Sequence, residues 1–333
     1  NFLSENNLKI KQVFLENAKF DISKKDSNFF FDLLDNNFSK SEIKILNSIV
    51  FFKNEDDEVL FINKIKQMRY FHDIKKMQNI LNIKNEIFNI PYSLELYDNK
   101  KEKKIFFKMN ISIFKSSLDS VYDYSEINRK GLINIINNKN KSQINFNISK
   151  EKLIFDYNDM MKDANFNFEG NIFLKPFFLD IFGNLKRIDS KYFTNPNSIL
   201  IQFLKTEVFN NQNLNIISRI NSEKILPYQK LIKMLLNFRI KEGLIDVDDT
   251  KFSWSSYADF KISNSLIYLN GNSLTLDGKM KIEIKNYDEI YKFFQTPRNF
   301  RKEIKELEFV FNYNFDQEMI NISSIKIDNK SNQ

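Results

Sequence analysis

The chain has 333 residues, 42% hydrophobic and 28% charged, enough apolar material for a large core or an elongated array. It has no cysteine, which excludes disulfides, thiolate chemistry and Cys-based metal sites, and His72 is its only histidine, so neither a Cys-His pair nor a His-rich metal centre can be assembled. The net charge of +7 comes from Lys interleaved with Asp and Glu. That pattern reads as a solvated face and not as a nucleic-acid footprint, because the aromatic residues fall inside strand patterns and form no exposed basic stripe.

In chain order, residues 8–22 read as one long strand or two short ones, with Leu8, Ile10, Phe20 and Ile22 alternating. A polar loop at 23–27 leads to a strand at 43–52, closed by the acidic turn of Glu55, Asp56, Asp57 and Glu58, and then to an apolar stretch at 59–65. From 65 to 90 the apolar residues Ile65, Met68, Tyr70, Phe71, Ile74, Met77, Ile80 and Leu81 have a spacing closer to 3.6, which predicts a helix or two ended by Pro91. His72, beside Asp73, is then expected at a surface or on a helix edge.

Alternation takes over from Tyr92. Tyr92, Leu94 and Leu96, a polar turn at 98–104, and Phe107, Met109, Ile111 and Ile113 predict a hairpin. Ile144, Phe146 and Ile148 with Leu153, Phe155 and Tyr157 predict another around 149–152. Phe166, Phe168, Ile172 and Leu174 continue, with Gly170 as a bulge. Residues 197–209 predict a helix capped by Ser198, with Ile199, Phe203, Leu204 and Val208 on one face. A strand at 214–220 and a short helix at 228–235 follow, and then strands to the end, broken only by an amphipathic segment at 287–294.

The clearest alternation lies near the C-terminus. Leu274, Leu276, Met280, Ile282 and Ile284 occupy alternate positions, with Gly278 in the one gap and polar residues between. Leu307, Phe309, Phe311, Tyr313 and Phe315 do the same. A period of two gives each strand one apolar and one polar face. A faint internal repeat also relates 44–52 to 261–269, sharing Lys, Ile, Asn and Ser in register, with 14–20 as a weaker third copy. The fold expected is mainly β with a few helices: an elongated, curled, mostly antiparallel sheet with a one-sided hydrophobic groove. Residues 1–91 form N-terminal strands plus a helical segment, and residues 92–333 form a β-rich domain.

The C-terminal half resembles the AsmA-like superfamily of bacterial envelope proteins. The residues that carry the likeness are 214–220, then 238–254 with Gly243, Asp249 and Thr250, and the series at 263–284. Residues 166–172 and the helical stretch 199–208 also fit, and the likeness runs over 89–328. Very low glycine content and Asn- and Lys-heavy turns depart from the family pattern. The resemblance implies a long curled sheet with an apolar inner groove, anchored in the inner membrane and projecting into the periplasm. It also implies movement of phospholipid between inner and outer membranes, or maintenance of outer-membrane assembly. The sequence starts at Asn1 with no secretory leader, and no apolar run approaches the ~18 residues of a bilayer span. It is therefore read as a piece of a longer protein, with any anchor outside it.

The residues expected to line the groove are Phe107, Met109, Ile111, Ile113, Leu274, Leu276, Met280, Ile282, Ile284, Leu307, Phe309, Phe311 and Phe315. The partner expected is phospholipid or another acyl-chain lipid, with no nucleic acid. Alternation alone favours a closed sandwich, or a face under a helix, and hence a non-catalytic structural or adhesive scaffold; the resemblance is what brings an open groove level with it. Asp246, Asp248 and Asp249 lack the Gly and distal Glu of a calcium loop and read as a turn. No carboxylate pair stands in a recognisable constellation, so a carbohydrate-active enzyme is the least favoured class, and no catalytic residue, cofactor or metal is expected.

Overall fold

The structure, a computed structural model, describes residues 11–23, 42–53, 57, 59–125, 129–137, 140–149, 152–159, 166–174, 177–206, 214–328 and 330–332. The features expected at Leu8, Ile10, 24–27, Glu55, Asp56, Glu58 and Val208 lie outside these residues. Strands dominate and pair mostly antiparallel. The chain divides into two compact units, Asn1–Lys150 and Glu151–Gln333.

The first unit contains β1 (Gln12–Glu16), β2 (Lys19–Ser23), β3 (Glu42–Lys53), β4 (Val59–Asp73), β5 (Gln78–Ile87), β6 (Ile90–Asn99), β7 (Lys104–Ile111), β8 (Ser116–Asp123), β9 (Arg129–Asn137) and β10 (Asn140–Ile148). β1 and β2 lie end to end beside β3, both parallel to it, and β3 to β10 follow as an antiparallel meander. The helix expected over 65–90 is instead β4, a turn and β5. Tyr70 and Leu81 face one side of the sheet while Phe71 and Ile80 face the other, and Ile74 and Met77 are exposed in the turn. Apolar residues from two faces and a turn sum to a false helical period. The boundary expected at 91 falls inside the sheet: Ile87 pairs with Ile90 across a two-residue turn whose Phe88 and Asn89 both have positive φ. Pro91 fits because β7 pairs with β6 only from Ser93 onward, so no ladder donor is lost there.

The second unit contains β11 (Lys152–Asp159), β12 (Phe166–Leu174), β13 (Phe177–Asp189), β14 (Asn215–Leu226), β15 (Leu231–Lys241), β16 (Leu244–Asp246), β17 (Lys251–Trp254), β18 (Ala258–Asn270), β19 (Ser273–Ile284), β20 (Glu306–Asn314), β21 (Met319–Ile327) and β22 (Lys330–Asn332). Neighbours in sequence pair antiparallel, with β16 and β17 sharing one place between β15 and β18. The exception is β13 and β14, which are parallel. A parallel pair needs a crossover, and this one carries helices α1 (Lys191–Thr194) and α2 (Ile199–Leu204). Ser198 caps α2 as expected, its Oγ accepting the Ile201 N–H at 3.2 Å. The last helix is α3 (Tyr287–Phe293).

The helix expected at 228–235 is replaced by a turn and the start of β15, where consecutive apolar residues serve both faces and Lys233 takes φ 52°. Residues 150 and 151, in the hairpin turn expected around 149–152, lie outside the described residues; its two strands are present as β10, which pairs with β9, and β11, which pairs with β12. Gly170 is not a bulge. It pairs in register with Phe155 and Ile181, and the Phe155 ring lies over it.

The faint repeat has a structural meaning. Asn47 in β3 and Asn264 in β18 adopt left-handed φ of 48° and 49°, and each precedes a buried serine. Ser48 Oγ accepts the Ala18 N–H at 3.0 Å and donates to Leu46 O at 2.7 Å. Ser265 Oγ accepts the Val247 N–H at 2.9 Å and donates to Asp248 Oδ1 at 2.7 Å. In both places a long strand satisfies the backbone where the neighbouring strand breaks in two, β1 from β2 and β16 from β17. Asn17, in the third copy, also has a positive φ of 54°.

Candidate functional site

Strand register in the first unit lines up two apolar rows on one face. One crosses nine strands as Val13, Ile43, Tyr70, Leu81, Leu96, Phe107, Ser120, Ile133 and Ile144. The other runs Leu15, Ile45, Met68, Ile83, Leu94, Met109, Leu118, Ile135 and Ser142. Eight strand spacings make each row about 38 Å long. From Leu81 onward nearly all of these side chains are half-buried, Ser120 alone being fully buried. Among the described residues of this unit no α-helix packs on them, and only a 3-10 turn, Ser112–Phe114, interrupts the strands.

The opposite face carries Lys44, Arg69, Asn82, Glu95, Lys108, Asp119, Asn134 and Gln143 in one register row. It is not uniformly polar. Phe71, Ile80, Tyr97, Phe106, Val121 and Leu132 form an adjacent row, with the Tyr97 and Phe106 rings stacked at 4.8 Å and the Arg69 guanidinium 4.4 Å from the Phe71 centroid.

A buried polar cluster lies beside the apolar rows on β5 and β6. Asp98 is 1% exposed and accepts from Tyr124 Oη at 2.9 Å, and Asn79, its pair on β5, lies 2.8 Å from His72 Nδ1. His72 is therefore a sheet residue and not a helix-edge one. Tyr70 Oη and Ser120 Oγ are buried without a hydrogen-bond partner among the described residues. Burial first, and then the Asp98 charge, push the Tyr70 phenol above its ordinary pKa.

In the second unit the corresponding face is filled. Ile201 and Leu204 of α2, each 1% exposed, pack into a core with Ile240, Ile245, Val247, Ile262, Ile267, Leu274, Phe311 and Phe315. Lys205 pairs with Asp316, and Asp316 Oδ2 accepts the Leu274 N–H at 3.0 Å, tying the end of α2 to the sheet. Phe193 of α1 packs on a second cluster of Leu185, Ile188, Ile225 and Met234.

The structure thus divides the expected groove residues. Phe107, Met109 and Ile111 share the apolar face of β7, whereas Ile113 leaves the strand in the 3-10 turn and is exposed. Leu274, Phe311 and Phe315 are buried in the α2 core, with Leu276, Met280 and Phe309 packed against it, so at these positions the face is covered by a helix. Ile282, Ile284 and Leu307 are half-buried on the same face, outside that core. Sequence reasoning missed Leu81, because it lay in a stretch read as helix, and Leu118, because Ser and Asp alternate with the apolar residues of β8.

The polar face of the second unit is held by ion pairs between adjacent strands: Lys279–Glu308 at 3.2 Å and Lys281–Glu306 at 2.7 Å. Asp246 accepts from Arg239 Nε at 2.9 Å, and Asp248 Oδ1 accepts the Ser265 N–H at 2.7 Å. Asp249 pairs with Lys261 at 2.9 Å, which holds its carboxyl below the usual range. The acidic run is a hydrogen-bonded turn, and no cluster of metal-ligating side chains occurs among the described residues. No helix among them is long and apolar enough to cross a membrane. No protein-family model, curated protein or solved structure matches the chain.

Proposed function

We propose that this chain is a non-catalytic lipid-binding module that holds phospholipid, or another acyl-chain lipid, along the apolar face of its first unit. The observation that supports this reading is the pair of nine-strand apolar rows left half-exposed from Leu81 to Ile144, with no helix among the described residues laid over them. Each buried CH₂ of an acyl chain contributes about 0.8 kcal/mol. A lipid lying along such a row is held by many equal contacts and by none that pins it, an arrangement suited to sliding. With the AsmA-like resemblance, the module works in the periplasm, passing phospholipid between inner and outer membranes or maintaining outer-membrane assembly.

The closed-scaffold reading applies to the second unit, where α2 fills the face. The two units then divide the work, the first carrying lipid and the second providing a packed body. Purification followed by solvent extraction and mass spectrometry tests the proposal. Phospholipid is expected to co-purify and to be regained after delipidation. A delipidated chain that neither retains nor takes up lipid overturns it.

A further inference from the structure

Where β17 and β19 end and β18 begins, the second unit projects an aromatic knob. Trp254, at the end of β17, meets Phe293 and Phe294 edge-on at ring distances of 4.7 and 6.2 Å, and these two rings meet each other at 5.3 Å. Trp254 anchors the group, whereas Phe293 and Phe294 are 56% and 66% exposed, and Phe300, in the turn after α3, is 66% exposed. Large apolar side chains gathered on a short helix and its following turn are not satisfied by water.

The charges around the knob have one sign in excess. The segment 285–305 carries Lys285, Lys292, Arg298, Arg301, Lys302 and Lys305 against Asp288, Glu289 and Glu303. The acids are taken up locally: Glu289 by Lys292 at 2.5 Å, Asp288 by Arg301 at 3.7 Å and Glu303 by Lys305 at 3.8 Å. Arg298 and Lys302 have no ion-pair partner among the described residues, and Lys230 Nζ lies 5.7 Å from the Phe293 ring centroid. Exposed aromatic rings on a segment that also carries the exposed cations Arg298 and Lys302, with Lys230 beside the Phe293 ring, match a membrane interface, where rings enter at headgroup level and cations meet anionic lipid.

We infer that this knob docks the chain on an anionic phospholipid surface, with Phe293, Phe294 and Phe300 entering the interface and Lys230, Arg298 and Lys302 pairing with headgroup phosphates. The inference does not rest on lipid carriage by the first unit, since a chain that extracts no lipid can still dock.

Trp254 is the only tryptophan in the chain, so its fluorescence reports on the knob alone. With the whole chain and vesicles of phosphatidylcholine containing about a third phosphatidylglycerol, Trp254 emission is expected to shift to the blue and to be quenched by lipids brominated near the headgroup. The response should weaken on pure phosphatidylcholine and in high salt. The double variant Phe293→Ser/Phe294→Ser should bind roughly tenfold or more weakly, with an unchanged circular dichroism spectrum. Arg298→Glu/Lys302→Glu, which leaves the aromatic packing intact, should lose the preference for anionic vesicles. Absence of a Trp254 response on either vesicle, or equal binding by the serine variant, overturns the inference. So does wild-type self-association that the serine variant abolishes, because the knob would then belong to a contact between copies of the chain.

Discussion

At the scale of single residues, the sheets rely on a repeated pairing of glycine with phenylalanine. Gly131, Gly170, Gly183 and Gly278 stand directly opposite Phe146, Phe155, Phe168 and Phe311 on adjacent strands. A methyl group added at Gly183 would lie 2.5 Å from the Phe168 ring, and one at Gly278 would lie 3.0 Å from that of Phe311. The ring covers backbone that glycine leaves bare, so glycine inside a strand is here a packing partner. Gly183→Val should destabilise by about 1–3 kcal/mol through overpacking, measured by urea unfolding, and Phe168→Ala in the same chain should recover part of the loss. The left-handed Asn264 gives a second test: Ala there should cost about 1–2 kcal/mol and Gly little. Acid sensitivity follows from Asp249 and Asp259, whose carboxyls are lowered chiefly by hydrogen bonds from Lys261 and Lys285. Their stabilisation is complete above the unfolded-state pKa and is lost as pH falls through the lower folded value. The thermal midpoint should therefore hold down to about pH 5 and drop below about pH 4, and Lys285→Met should shrink that drop.

At the scale of elements, the decisive feature is the crossover between β13 and β14. It places α2 on the apolar face, and its consequences are measurable. Leu204→Ala should cost about 2–5 kcal/mol and raise binding of a hydrophobic dye, because Leu274 and Phe311 lose their cover; an unchanged midpoint would show that α2 is not part of the core. Elements with clean alternation and one exposed face, such as β7 and β19, were legible in the sequence, as was α2 through Ser198. β4, β5 and the start of β15 were not, because apolar residues on both faces and in the 74–77 turn imitate a helical period. The cover over Leu274 was also illegible: alternation identifies an apolar face and carries no information about what lies on it. The Asn-Ser repeat at 47–48 and 264–265 was visible in the letters, but its role at a broken neighbouring strand needed the pairing.

At the scale of the whole molecule, the two apolar faces differ: half-buried along the rows through Leu94 and Met109 with no helix among the described residues over them, and packed beneath α2 in the second unit. The most direct test is photo-crosslinking of the delipidated chain, reloaded with a photoactivatable phospholipid, with adduct positions read by mass spectrometry. Adducts are predicted at Leu94, Leu96, Phe107 and Met109 and not at Lys108 on the opposite face, nor at Leu274 or Phe311 under the helix. Adducts spread equally over both faces of β7, or found only in the second unit, would contradict the account.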